Sequence, residues 1–348
     1  MRKTSPEPTI QDIAREANVS RTTVSRVLNA SPNVAPETRT RVVAVLRRLD
    51  YRVNVAARSL RTTKTRLVGL LVPAISNDFF GRIAEVLEET LRRDGIGLLI
   101  ASSGWEAAGE RVALESLRAR RVDALVLSLV DDRAPATAAL LAEAGGPIVL
   151  LDREVRGVLA DRVVTDHRSA VSEAVEHLAS LGHEVIGIAT VTPGVRTGRE
   201  GRAGFRATIA ALGLRSAGEI VVPFDAITRQ SGWRLVDELL NAGATAILAG
   251  TPLTVNVGIL EHLASRGLRI PDDVSLVLTD DSDFASVFSP PLTLITRSLD
   301  DVAYRVARMV TSRLIDPNLE PRVELVPMQL VVRASTAAPK AQLEGSAR

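Results

Sequence analysis

In the first fifty residues, apolar positions recur at helical spacing in three short bursts. Ile10, Ile13, Ala14 and Ala17 share one face of a first helix that Thr9 can cap, and Asn18-Val19 break it. Val24, Val27 and Leu28 mark a second helix, capped by Ser20 and ending near Asn29, after which Ser31-Pro32-Asn33 reads as a loop. A third helix starts at Pro36-Glu37, a good first-turn pair, and turns Val42, Val45, Leu46 and Leu49 inward.

From Leu67 the period changes to short apolar runs alternating with amphipathic helices: Leu67–Val72, Ile96–Ala101, Ala124–Leu127, Ile148–Leu151, Val185–Ala189, Ala246–Ala249 and Val274–Leu278. Continuous β-branched and Leu-rich runs are how strands covered on both faces of a parallel sheet read. Seven of them, each followed by a helix, exceed one sheet of this type. The expectation is two α/β lobes in tandem, with a ligand cleft at the carboxyl ends of the strands. The fold class is therefore α/β: an N-terminal all-α helix-turn-helix headpiece on a two-lobed, doubly wound body.

Charge sharpens this division. Residues 1–66 hold fourteen Lys and Arg against five Asp and Glu, whereas the rest of the chain holds twenty-nine against thirty-six. A head near +9 on a body near −7 points to a polyanion bound at one end only. The absence of cysteine excludes disulfides, thiolate metal sites and cysteine nucleophiles. With 3% aromatic residues a stacking platform for single strands is a poor fit, so duplex is expected. No signal-like or membrane-spanning apolar run appears, and the expected location is the cytoplasm.

Thr9 to Asn29 has the length of a DNA-reading helix-turn-helix, whose second helix presents its first residues to base edges. Arg21, Thr22 and Arg26 suit direct base readout, arginine being the usual partner of guanine. Ser20, Thr23, Ser25 and Asn29 suit phosphate contacts, which hold register without reading sequence. Any small helical pair with surface Ser, Thr and Arg can look like this, so the motif alone does not decide.

The longer text does. Residues 10–20, Thr23 to Asn29, Pro36 to Arg39, Tyr51 and Asn54 to Arg61 resemble the LacI/GalR family of bacterial repressors. The likeness continues through Gly69 to Pro73, Ile75 to Phe80, Asp152-Arg153, Leu181-Gly182-His183, Ile270 to Ser275 and Pro290 to Thr293. It implies a body like a periplasmic sugar-binding protein, with lobes near 67–165 plus 297–322 and 166–296 plus 323–335, crossed three times by the chain. It also implies a homodimer on a near-palindromic operator, with one headpiece per half-site. The expected domains are a headpiece at 9–53, a hinge helix and linker at 54–66, the effector-binding and dimerisation body at 67–335 and a flexible tail at 336–348.

The resemblance further implies that Asn54–Arg61 is a hinge helix that forms only when packed. Leu60 would wedge a minor-groove step, Ala57 would meet the partner helix and Arg58 would approach phosphate. Val53 stands where many relatives have Pro, which loosens the entry. Phe79, Phe80, Trp105, Asp152, Arg153, Arg199, Arg202, Asp280 and Arg297 are candidate effector-binding residues. Gly201 stands where sugar-binding relatives have a gripping arginine, and Arg199 and Arg202 inherit that role only if the helix start shifts. Thr251-Pro252 replaces a family Asn-Asp pair, and Arg297 replaces a Gln. An anionic or mixed-polarity ligand is thus favoured over a neutral sugar.

Three other readings compete with this one. A solute-binding protein of the same architecture lacks a reason for the basic head, and a regulator with a degenerate pocket would sense nothing. An enzyme lacks its chemistry: the four histidines show no metal spacing, and neither a phosphate loop nor a nucleophile elbow is present. His183 is expected to cap a helix end. No cofactor or metal is expected.

Overall fold

The computed structural model describes residues 8–28, 31, 33–51, 64–279 and 284–340. The chain divides into two compact units, Met1–Thr65 and Arg66–Arg348.

The smaller unit contains α1 (Ile10–Glu16), α2 (Arg21–Leu28) and α3 (Pro36–Arg48). Thr9 and Asp12 form a reciprocal cap at the start of α1, the Thr9 hydroxyl accepting from Asp12 N and the Asp12 carboxylate from Thr9 N. Asn18 takes the left-handed conformation needed for a tight turn, with φ at 49°. Ser20 Oγ then accepts from Thr23 N at 3.0 Å and opens α2. Ile13, Ala17, Val24 and Val42 close a fully buried centre.

The larger unit has two six-stranded sheets. Lobe 1 uses β1 (Leu67–Val72), β2 (Gly97–Ser102), β3 (Ala124–Leu127), β4 (Ile148–Leu151), β5 (Asp161–Thr165) and β11 (Val323–Val326), with order β11-β5-β4-β3-β1-β2, all parallel. Its helices are α4 (Asp78–Arg93), α5 (Ala107–Ala119), α6 (Pro135–Ala142) and α12 (Leu299–Ile315). Lobe 2 uses β6 (Val185–Val191), β7 (Arg215–Val222), β8 (Ala246–Gly250), β9 (Ser275–Thr279), β10 (Thr293–Thr296) and β12 (Gln329–Val331) in the order β12-β10-β9-β8-β6-β7. All its pairs are parallel except β10 with β12. Its helices are α7 (His167–Ser180), α8 (Arg196–Ala211), α9 (Arg229–Asn241), α10 (Leu253–Ser265) and the short α11 (Phe284–Val287). Buried Val, Leu and Ile clusters lie on both faces of each sheet, as continuous apolar strands require.

The chain passes between the sheets three times, at 165–167, 296–299 and 326–329. The last passage corrects the expected boundary at 322/323: Val323–Val326 pairs in parallel with β5 and belongs to lobe 1. The start of the expected tail is also corrected, because residues 336–340 are held rather than free, while 341–348 lie outside the described residues. His183 Nε2 donates to Ala337 O at 2.9 Å and lies 3.0 Å from Ser275 Oγ, while Thr245 Oγ1 is 2.8 Å from its Nδ1. Lys340 pairs with Asp273. His183 is thus a buried staple between strand ends and the C-terminal segment, not a cap, and burial lowers its pKa from 6.5.

Candidate functional site

Two sites emerge, one in each unit. In the headpiece, Val24 and Val27 anchor α2, which leaves Arg21, Thr22 and Arg26 exposed on its outer side. Ser20 is exposed, and Thr23 and Ser25 are half-buried beside them. The six described positions expected to meet DNA therefore lie on one helix and its cap. Asn29 lies outside the described residues, as do the hinge positions Ala57, Arg58 and Leu60.

In the larger unit a cleft of about 170 Å³ opens between the lobes. Phe79, Phe80, Trp105, Asp152, Arg153 and Arg297 line it as expected, and Asp280 lies outside the described residues. Asn77 caps α4 by accepting from Phe79 N at 3.1 Å, which aims the two phenylalanines into the cleft. Their rings meet edge to face at 5.0 Å, and the Arg297 guanidinium lies 4.4 Å from the Phe79 ring centre. Trp105 follows β2 in a left-handed conformation, with φ at 67°, and its ring lies 4.8 Å from that of Phe224, which follows β7 in the opposite lobe. An aromatic contact therefore joins the two walls.

Asp152, at the end of β4, is buried and accepts from Thr165 N and Thr165 Oγ1, each at 2.8 Å. Burial alone would raise its pKa. His167, whose Nε2 is 3.8 Å away, the Arg297 charge and the Thr165 hydrogen bonds together hold it well below the usual carboxylate range. The Arg153 guanidinium turns back into lobe 1, donating to Leu129 O and, at 3.0 Å, to Asp152 O. It borders the cleft as a support rather than as a free cation.

Arg199 and Arg202 do not reach the cleft. Arg202 pairs with Glu219 at 2.9 Å on the outer side of α8. Arg199 donates at 2.6 Å to the fully buried carboxylate of Asp132, which also accepts from Arg196 N at 2.9 Å and Glu154 N at 3.1 Å. Asp132 belongs to lobe 1 and α8 to lobe 2. One carboxylate thus caps a helix across the divide, where the helix dipole favours negative charge. Beneath its loop, buried Glu110 accepts from Val130 N at 2.6 Å, and desolvation pushes its pKa up to about 7. Helical geometry gives the reason for both displacements, since neither arginine shares the face that Gly201 turns to the cleft. Gly204 instead lies against the Arg168 carbonyl, where a Cβ would not fit, so α8 packs closely on the start of α7 there.

Residue-type reasoning did not select Phe224, His167 and Thr190 as lining residues. β7 was not among the expected strands because its first half, Arg215 to Gly218, is polar or small, so Phe224 at its exit went unnoticed.

Residues 9–54 match the bacterial regulatory proteins of the lacI family, and residues 175–336 match the periplasmic binding protein-like domain. The HTH-type transcriptional repressor PurR of Escherichia coli O1:K1 is 30% identical over 332 residues, covering 94% of this chain and 97% of the relative. The chain belongs to the lacI family. Catabolite control protein A of Priestia megaterium is 28% identical over 335 residues, covering 94% of this chain and 99% of that protein. Among solved structures, the Lac repressor dimer bound to operator and the anti-inducer ONPF matches with a TM-score of 0.83 at 24% identity, covering 95% of this chain and 99% of that one. The transcriptional regulator CelR in complex with cellobiose matches with a TM-score of 0.70 at 27% identity, covering 94% and 99%. This lacI-family chain is a DNA-binding transcriptional regulator with an effector-binding body. No helix of the described residues is long and apolar enough to cross a membrane.

Proposed function

We propose that the chain is a repressor that acts in the cytoplasm as a homodimer on a near-palindromic operator, with a small molecule in the interlobe cleft modulating its affinity. The observation that carries the DNA reading is the arrangement of α2: two buried valines fix the helix while Arg21, Thr22 and Arg26 face outward together. A recognition helix needs this division, because side chains that read bases must be free while their helix is not. In this reading Arg21, Thr22 and Arg26 read base edges, and Ser20, Thr23 and Ser25 fix register on phosphate. Asn29 joins the phosphate contacts, and Ala57, Arg58 and Leu60 retain their part in the hinge as proposals from the resemblance alone. The cleft mixes charged and aromatic groups, which supports a ligand of mixed polarity over a polyhydroxylated sugar. The chain carries out no catalysis in this scheme.

Operator selection from a random duplex library, followed by Arg21→Ala, tests the proposal. The variant should lose its preference at one base pair per half-site, about 1–3 kcal/mol in discrimination, whereas Ser25→Ala should weaken all sequences alike. Equal losses on selected and random DNA for Arg21→Ala would overturn the assignment.

A further inference from the structure

The two walls of the cleft are chemically unequal. Among the described residues, the charged lining groups Asp78, Asp152, Arg153 and Arg297 stand on lobe 1 or at the crossover into it. Facing them, beyond His167 at the other crossover, Val171, Ile188, Leu248 and Leu253 line a hollow in lobe 2. Gly201 opens this hollow further: a Cβ there would come no closer than 3.8 Å to Val171 and 3.9 Å to Thr190. Thr251 spends its proton on Asn256 Oδ1 at 2.6 Å, while Thr190 Oγ1 is buried without a partner. With Thr251 engaged, the lobe 2 wall offers a guest the hydroxyls of Thr190, at the floor of the hollow, and of Thr197 and Thr279. Ligand hydroxyls pressed against Val171, Ile188, Leu248 and Leu253 would lose their water without replacement.

Size narrows the guest. An apolar cavity of about 150 Å³ holds one benzene ring, so the 170 Å³ here admits a single ring with a small substituent. Phe79, Phe80, Trp105 and Phe224 supply aromatic faces around that volume. Charge narrows it again, because Arg297 already opposes the ionised Asp152. An anionic head group would have to share that cation with a buried carboxylate.

We infer that the cleft takes an uncharged molecule built on a single aromatic ring, its apolar edge seated in the lobe 2 hollow at Gly201 and one hydrogen-bonding head group beside Arg297 and His167. This rests on the reading of the cleft as the effector site.

The full-length Trp233→Phe protein tests the inference. The chain has two tryptophans, and Trp233 stacks on His262 outside the cleft, so the remaining emission reports Trp105. Titration with benzamide, benzoate and ribose should show benzamide binding at least tenfold tighter than either of the others. Gly201→Leu, which extends a side chain into the hollow, should weaken benzamide at least tenfold while keeping the thermal midpoint. If that variant does not fold, Gly201→Ala, whose Cβ meets only ordinary contacts, should weaken it several-fold. Tighter binding of ribose or benzoate, silence towards benzamide, or undiminished affinity in the folded Gly201 variants would overturn the inference. Operator selection without ligand is scored separately: a protein that selects DNA but ignores benzamide overturns only this inference, and the converse overturns only the DNA reading.

Discussion

Lobe 1 and lobe 2 share a six-stranded, mostly parallel sheet and trade strands through the same crossovers, yet they bury different chemistry. Lobe 1 encloses Glu110, Asp132, Asp152, Arg153, Asp161 and Arg313. The buried polar residues of lobe 2, among those described, are His183 with Ser, Thr and Asn side chains, such as Thr190, Asn256, Ser275 and Ser335. The difference separates two ways of keeping a polar core in one architecture. Buried ions depend on their partners, because the cost of an unmatched charge far exceeds that of an unmatched hydroxyl. A neutral network instead depends on its one titratable member remaining neutral.

The largest effect expected from this contrast is at Asp161. Its carboxylate takes both ends of the Arg313 guanidinium at 2.9 Å and Arg322 N at 2.8 Å. Asp161→Ala leaves a buried guanidinium unmatched and should cost about 3–5 kcal/mol in urea unfolding. A cost below about 1 kcal/mol would remove the distinction between the lobes.

Next comes Glu110, whose folded pKa near 7 stands above its unfolded value of 4.5. Its contribution to stability is therefore complete below about pH 4.5 and is lost as pH rises through about 7. Glu110→Gln should be more stable than the parent at pH 8, by roughly 3 kcal/mol at most, and little different near pH 4. Equal pH profiles for the two proteins would show that Glu110 does not carry this dependence.

The smallest effect belongs to His183, where the sign reverses. Its folded pKa lies below 6.5, so its contribution is complete above that pH and lost as pH falls through it. Amide protection factors, taken as the intrinsic exchange rate at each pH divided by the observed rate, should fall in β12 and the 333–337 segment between pH 7.5 and 5.5, while those of the β3–α6 loop around Val130 rise. Parallel trends in the two lobes would break the comparison.

The apolar runs made the sheets legible before any coordinates, since only strands covered on both faces need such continuous hydrophobicity. The headpiece was legible for the same kind of reason, its caps at Thr9 and Ser20 being local chemistry. β11 and β12 were harder, because Val323–Val326 is half exposed at a sheet edge and gives no buried pattern. In the cleft, side chains anchored by their own helix start or strand end, such as Phe79 and Asp152, were found. Arg199 was misplaced because its partner, Asp132, is 67 residues away in the other lobe. Sequence spacing fixes the face of a helix a residue occupies, but not which distant carboxylate meets it.

That same Asp132 contact bears on how a signal can be generated at all. In a body whose lobes open and close, a link through protein atoms alone supplies part of the free energy of closure before any ligand arrives. Every 1.4 kcal/mol it contributes multiplies the ratio of closed to open molecules by about ten. As that ratio passes one, a ligand that prefers the closed form gains affinity but finds fewer open molecules left to convert, so its signal shrinks while its binding strengthens. Neutralising a single carboxylate by Asp132→Asn would trade in the other direction, giving weaker binding and a wider swing.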